Sequence, residues 1–329
     1  MKTKLFVVLL LSLNLLCSAQ SYDKSSVEEK TFSIVIHGGA GNITPENLPP
    51  ATRKQYKAKL NEALLLGEEL LKDDKSALLT VEKVLNLLED SPLFNAGRGA
   101  VMSHRGLCEA DASIMDGKTL NAGAVAGVTT IKNPISAARL VMDSSRHVLL
   151  SGEGANQFAE RYGLVPVKNE YFQTERRKKS LRRAIDNENK ISKHGTVGCV
   201  VIDNQGNIAA GTSTGGLTNK KYGRIGDSPI LGAGTYADNS TCGISATGVG
   251  EYFIRLAVAH DISSLMSYKG LSLQAATDEV IQNKLTDLGG AGGVIGVDNK
   301  GNVSWSFNTG GMFRAYLKSD GTSVVKIFK

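Results

Sequence analysis

The chain has 329 residues, 41% hydrophobic and 21% charged, with 38 Lys and Arg against 32 Asp and Glu and a formal charge of +6. This is the composition of a soluble globular protein with one large or two ordinary domains. The charge does not single out a nucleic-acid binder, because two of the lysines fall in a leader and many others crowd into one segment.

The leader comes first. Met1-Lys2-Thr3-Lys4 is basic, Leu5 to Leu16 is apolar, and Cys17-Ser18-Ala19-Gln20 follows. This pattern predicts a signal peptide over 1–19, cut after Ala19, and hence an exported protein, periplasmic in a Gram-negative bacterium and otherwise secreted. Cys17 allows a minor alternative, a lipid anchor, although Leu16 fits that signal poorly. The apolar run is too short to span a bilayer, and no later stretch approaches the roughly 20 residues required. Cys108, Cys199 and Cys242 remain after processing, an odd number that does not make a disulfide framework. The five histidines are scattered and no Cys/His group has zinc spacing.

Phe32 to His37 reads as a buried strand running into the turn Gly38-Gly39-Ala40-Gly41. That turn lacks the full dinucleotide fingerprint and no Gly-Lys-Ser/Thr follows, so nucleotide binding is disfavoured. Tyr56, Leu60, Ala63, Leu64, Leu70 and Leu71 have helical spacing, and a second helix is predicted from Ala77 to Leu88 with Ser76 as N-cap. Leu120 to Thr130 reads as a strand. Asn133-Pro134 opens a helix to about Met142, and another runs from Gly154 to Tyr162 with Gly163 as its stop. Val167 to His194 is polar, rich in Lys and Arg and nearly without apolar periodicity, so a mobile linker is expected over 167–195. A binding patch for polyanions, as in a basic adhesin, is the alternative for its 176–183 run.

After the linker the pattern changes to hairpins. Val197 to Asp203 and Asn207 to Thr214 flank one turn, and Gly293 to Asp298 and Asn302 to Asn308 flank another. Helices are expected between them, over Glu251 to Ser267 and Ser272 to Leu285. The whole suggests sheets stacked face to face and covered by helices.

His194-Gly195-Thr196-Val197 stands where the linker meets the first of these strands. A threonine hydroxyl is a weak nucleophile, and no Ser/His/Asp set is evident nearby to activate it. A free α-amine on the same residue, with a pKa of roughly 7.7 to 8.0, could serve as base once the preceding peptide bond is cut. Gly195 would tolerate the strained backbone such a cut requires. Three glycine-rich clusters follow: Thr212-Ser213-Thr214-Gly215-Gly216, Arg224-Ile225-Gly226-Asp227-Ser228-Pro229 and Thr247-Gly248-Val249-Gly250. Together they could supply oxyanion donors and an Arg/Asp clamp for a zwitterion. Singly, each is equally a set of turn glycines or a surface ion pair worth at most about 1 kcal/mol.

From about Phe32 to Lys318 the chain resembles the plant-type L-asparaginase/isoaspartyl peptidase family of N-terminal nucleophile hydrolases. The likeness rests on His37 to Gly41, Pro92 to Gly97, Met115 to Gly117, Gly195 to Gly198, Thr212 to Gly216, Gly223 to Pro229, Thr247 to Glu251 and Phe307 to Met312, in that order. It implies an α+β fold, a four-layer αββα sandwich, whose precursor cleaves itself between Gly195 and Thr196. The α subunit would then be 20–195 and the β subunit 196–329, staying together as one structural domain in a dimer of αβ units.

By the same resemblance Thr196 is nucleophile and, through its amine, base. Thr214 orients its hydroxyl, Thr247 and the Gly248 N–H form the oxyanion hole, and Asn95 supports the nucleophile from behind. Arg224 takes the substrate α-carboxylate, while Asp227 and the Gly250 carbonyl take its α-ammonium, with Thr247 and Gly248 also touching substrate. No cofactor is implied for catalysis. A structural sodium is implied on the main-chain carbonyls of Leu88, Glu89, Ser91, Phe94, Ala96 and Arg98, since oxygen ligands suit a hard cation.

The expected reaction releases L-aspartate from N-terminal β-aspartyl dipeptides and from L-asparagine through a β-aspartyl-threonine ester. The nearest alternative is a glycosylasparaginase-like hydrolase. That sister family carries aspartate before the threonine, where this chain has Gly195. A non-catalytic exported binding protein that keeps the clamp is a second alternative.

Overall fold

The computed structural model describes residues 31–186 and 195–329. The predicted signal peptide, Cys17 and the linker stretch 187–194 lie outside them. The first half supplies β1 (Ser33–Gly41), α1 (Pro50–Lys72), α2 (Ala77–Glu89), β2 (Ala110–Asp116), β3 (Ala122–Val128), α3 (Pro134–Ser144), β4 (Leu149–Ser151), α4 (Gly152–Arg161) and α5 (Glu175–Asp186). The second half supplies β5 (Val197–Ile202), β6 (Ile208–Thr214), β7 (Thr235–Ala237), β8 (Cys242–Gly248), α6 (Gly250–Leu256), α7 (Val258–Lys269), α8 (Leu273–Asp278), β9 (Gly292–Asp298), β10 (Val303–Phe307), β11 (Gly311–Lys318) and β12 (Ser323–Phe328).

Eight strands form one sheet in the order β12-β11-β1-β5-β6-β2-β3-β4, and four form another in the order β10-β9-β8-β7. All pairs are antiparallel except β3 with β4. Both halves of the chain contribute to the larger sheet, so β1 lies between β11 and β5.

The side-chain period of two decides what each strand offers to each layer. In β5, Val197, Cys199 and Val201 face the helices α1 to α4, whereas Val200 and Ile202 face the second sheet. In β8, Cys242, Ile244 and Ala246 pack under α7 and α8, while Gly243 lies against Val200 and Ile208 of the larger sheet. Three apolar layers separate four structural layers, which is the expected αββα sandwich. Strands covered on both faces read as unbroken apolar runs rather than alternating ones.

The α2 helix begins as expected, with the Leu79 N–H donating to the Ser76 hydroxyl at 3.3 Å. Two expectations need correction. The helix expected over Glu251 to Ser267 is two helices, broken at Ala257, whose φ is 47°. The carbonyls of Ala233 and Gly232 accept from Ala259 and His260 at 3.2 and 2.8 Å, so a distant loop caps α7 and makes the break tolerable.

The expected linker is also largely ordered, with a 3-10 turn at Asn169–Tyr171 and then α5. One apolar contact per few turns is enough to seat it: Phe172 and Leu181 are buried with Ala100, Met102 and Cys108. Two of its arginines bond main-chain carbonyls. Arg176 donates to Leu93 O and Pro92 O at 2.7 and 3.2 Å, and Arg177 Nε donates to Gly99 O at 2.6 Å. Arg176 and Arg177 therefore clasp the 92–99 loop, which takes these two basic side chains out of the expected polyanion patch. The three cysteines of the described residues are buried and free.

Candidate active site

The β5–β6 register pairs Val197 with Ser213, so the next step outward sets Thr196 against Thr214. Both threonines then face the layer between the sheets, and both are nearly enclosed, at 6% and 3% exposure. The Thr196 hydroxyl donates to Thr214 Oγ1 at 3.2 Å, and Thr214 in turn donates to the Gly195 carbonyl at 3.1 Å. Gly216 N–H also donates to Thr214 Oγ1, at 3.0 Å. One proton out and two in use this hydroxyl to its capacity.

Asn95 completes the cluster. Its Nδ2 donates to Gly195 O at 2.7 Å and to Gly216 O at 2.8 Å, and its Oδ1 accepts from Val101 N–H at 2.7 Å. The Gly195 carbonyl thus faces two donors, the arrangement that stabilises negative charge developing on an oxygen. From the other side the Gly38-Gly39 step, a bulge in β1, crosses the Gly195-Thr196 bond. A Cβ on Gly39 would lie 2.9 Å from Gly195 Cα and 3.2 Å from Thr196 N, so only glycine fits there, at a φ of 107°.

The clamp residues gather a short distance away. Gly216 bridges the two groups: it bonds Asn95 and Thr214, and a Cβ on it would lie 3.4 Å from Arg224 Nη1. Gly250 sits against both clamp side chains, since a Cβ there would be 2.7 Å from Asp227 Oδ1 and 3.0 Å from Arg224 Nη2. Arg224 is paired with Glu251 at 2.9 and 3.0 Å, a bidentate contact that half-exposed Glu251 holds from outside.

Asp227 is 5% exposed and its Oδ2 has no hydrogen-bond partner. Burial, only partly offset by the Arg224 charge, pushes its pKa up to about 7. The Thr247 Oγ1 is likewise buried and unpartnered. Thr247 lies two residues beyond Ser245 on β8, hence on the same face, and Ser245 reaches His37 beside Thr196. At Gly248 a Cβ would collide with Gly292 Cα and the Phe253 ring, which keeps its backbone bare.

Three participants carried no sequence signal for a role. His37 lies in a motif weighed for nucleotides and counted in the family likeness, without a role of its own. Glu251 closes a family motif, but its ion pair with Arg224 is visible only in three dimensions. The Glu89 carboxyl is fully buried and accepts from Ser213 Oγ at 2.6 Å and Ile135 N–H at 3.0 Å, with burial raising its pKa to about 8.

The loop from Leu88 to Arg98 folds back on itself, with Arg98 N–H on Glu89 O at 2.6 Å. Its carbonyls crowd round two glycines: a Cβ on Gly99 would lie 2.7 Å from Phe94 O and 2.8 Å from Pro92 O, and one on Gly97 would meet Glu89 O. Among the described residues no group of three or more His, Cys, Asp or Glu could hold a metal. The donor set of this loop, main-chain oxygen, is the kind a hard monovalent cation takes. Among the same residues no helix is long and apolar enough to cross a membrane.

Comparison with known proteins agrees with this geometry. The asparaginase family model matches residues 30–327. The chain is 46% identical over 307 residues to the isoaspartyl peptidase of Escherichia coli, covering 90% of this chain and 96% of that one. It is 45% identical over 327 residues to the probable isoaspartyl peptidase/L-asparaginase 2 of Arabidopsis thaliana (91% and 99%), and 43% identical over 305 to the plant-type L-asparaginase of Pyrococcus abyssi (87% and 96%). A sandwich of two helix-covered sheets, a threonine opening a central strand and a match over nearly the whole described length lead to one conclusion: the chain belongs to the asparaginase family, a family of N-terminal nucleophile hydrolases.

Proposed function

We propose that the chain cleaves itself between Gly195 and Thr196 and then, with Thr196 as nucleophile, releases L-aspartate from N-terminal β-aspartyl dipeptides and from L-asparagine. The observation that carries this reading is the pair of donors on Gly195 O beside the Thr196 hydroxyl.

In the cleavage step Thr196 Oγ attacks the Gly195 carbonyl carbon, and the charge that develops on its oxygen is met by Asn95 Nδ2 and Thr214 Oγ1. The hydroxyl proton passes to the departing Thr196 nitrogen, leaving an ester. Water then opens that ester to give a carboxylate at Gly195, a free hydroxyl and a free α-amine. The 20–195 and 196–329 chains remain joined because β1 and β5 pair across them and the cores are shared.

In turnover the Thr196 amine takes the hydroxyl proton while Oγ attacks the substrate's side-chain carbonyl. The oxyanion is received by the Thr247 hydroxyl, a donor with no other buried partner, and by Gly248 N–H. Ammonia or an amino acid leaves with the proton, and water activated by the same amine frees aspartate. The substrate α-carboxylate takes the Arg224 face now held by Glu251, and the α-ammonium takes Asp227 Oδ2 and the Gly250 carbonyl. Both charged groups must be free, which selects N-terminal β-aspartyl units.

The carbonyls of Leu88, Glu89, Ser91, Phe94, Ala96 and Arg98 would hold a sodium ion whose positive charge fixes the loop carrying Asn95. Export of the chain and its assembly as a dimer of αβ units belong to the same reading.

N-terminal sequencing of the purified protein tests cleavage directly: a new terminus at Thr196 is expected in the native chain and none in Thr196→Ala. Aspartate release is expected from a β-aspartyl dipeptide and from asparagine. Equal turnover of N-acetylated β-aspartyl peptides would refute the clamp, and preferential release from glycosylated asparagine would move the chain to the sister activity.

A further inference from the structure

The larger sheet carries one fully buried histidine that none of the steps above uses. His37 lies on β1 opposite Gly198, facing the layer between the sheets, with no exposed surface. Its Nδ1 is 3.2 Å from the Thr196 carbonyl oxygen and its Nε2 is 3.1 Å from Ser245 Oγ.

A carbonyl only accepts, so Nδ1 carries the proton and Nε2 accepts one from Ser245. Counting one proton per hydroxyl then orients the rest of a buried chain. With the Ser245 proton on Nε2, the 2.7 Å contact takes its proton from Thr212, which also lies 3.1 Å from Gly234 O; Thr235 donates to Thr212 at 2.6 Å, while Ser113 lies 2.8 Å from Thr235 and donates to Ser228 O at 2.6 Å. Four strands other than β1 supply these hydroxyls, and those of Ser245, Thr212 and Thr235 point their protons toward the ring. Burial holds that ring neutral, with a pKa near 3.

We infer that His37 is a positioning residue for Thr196: its Nδ1–H grips the Thr196 carbonyl, an acceptor that selects this tautomer, and Ser245 pairs the other ring nitrogen. The need for such a grip arises from the cut itself, so the inference rests on Thr196 being the nucleophile. Before cleavage Thr196 is held by peptide bonds on both sides. Afterwards it is a chain terminus, and termini fray unless tied down. Its hydroxyl is held by Thr214 and its carbonyl by His37, two bonds on opposite ends of one residue that together set the direction of Oγ and of the new amine. A nucleophile displaced by about 1 Å forfeits much of its rate.

Two substitutions separate positioning from bulk. The amide of His37→Asn can place a donor where Nδ1 was, whereas that of His37→Gln reaches the Nε2 position, keeping a partner for Ser245 without gripping Thr196. Both variants are expected to process. His37→Gln is expected to lose kcat by about 10- to 100-fold with KM changed less than about threefold, and His37→Asn to recover to within about threefold of the native kcat. Equal loss in the two variants, unchanged kcat in His37→Gln, or a loss confined to KM overturns the assignment.

A second measurement does not depend on activity or on folding of those variants. In 15N-histidine-labelled Thr196→Ala protein, which retains the residue 196 carbonyl, NMR at neutral pH should show His37 protonated on Nδ1 and bare on Nε2. The opposite tautomer, or a charged ring, overturns the inference even if hydrolysis is observed. If native protein hydrolyses none of the substrates above, the functional reading fails, while the tautomer still decides whether the grip exists.

Discussion

The two ends of the site differ in how their polar atoms are satisfied. Around Thr196 each of these groups has a partner: Asn95 makes three bonds, Thr214 makes three, and Gly195 O receives two. At the other end two buried atoms, Thr247 Oγ1 and Asp227 Oδ2, have none. A satisfied buried network holds a geometry, while an orphaned buried group costs stability until a ligand pairs it. On the proposed reading, the Thr196 end is thus rigid before substrate arrives, and the Asp227 end is completed by it.

The sharpest break of this contrast is Thr196→Ala, which should abolish processing and lower aspartate release by at least about 10³-fold, measured by intact mass and a coupled aspartate assay. Next is Thr247→Val. Removing an orphaned hydroxyl should leave thermal stability unchanged or raised, while kcat falls by about 10²- to 10³-fold through the lost oxyanion donor. Loss of stability in this variant would show that the hydroxyl is paired after all.

Asp227→Asn should reduce kcat/KM by about 30-fold or more, as expected for removing one partner of a buried charge pair. It should also change the pH profile. Asp227 binds the ammonium only when ionised, so native kcat/KM rises as pH climbs through about 7, and the variant lacks that limb while keeping the one set by the Thr196 amine. The sign for stability is opposite. The folded state holds a proton that the unfolded chain releases from about pH 4 upward, so native stability falls as pH rises toward about 7, and the variant escapes that fall. The last is Asn95→Ala, which strips bonds from the satisfied end: it should slow processing through the lost oxyanion donor and destabilise the fold by about 1 to 3 kcal/mol in denaturant melts.

Much of the fold could be read from local pattern. The β5–β6 and β9–β10 hairpins, the capped start of α2 and the Pro-opened α3 follow from apolar period, turn residues and a capping hydroxyl, all of which act within a few residues. The site residues Thr196, Thr214, Arg224, Asp227 and Thr247 were legible only as a set, through the family's ordered motifs. Singly, each sits in a glycine-rich stretch that chance supplies often.

What escaped the sequence depends on partners far along the chain. α5 has too little apolar periodicity to be seen, because it is held by arginines on the carbonyls of a loop some 80 residues earlier. The break at Ala257 is invisible because its compensating carbonyls come from Gly232 and Ala233.

By itself, then, the sequence marked several of the helices and strands, where a chain cut could create a nucleophile, and which charged residues could clamp a zwitterion. Only the tertiary structure decided that Thr196 faces Thr214, that Asp227 is buried enough to titrate near neutrality, and that His37 spans from one sheet to the other to hold the Thr196 carbonyl. The physical reason is that propensity and capping are local energies, whereas register, desolvation and hydrogen-bond satisfaction exist only once remote strands have been stacked.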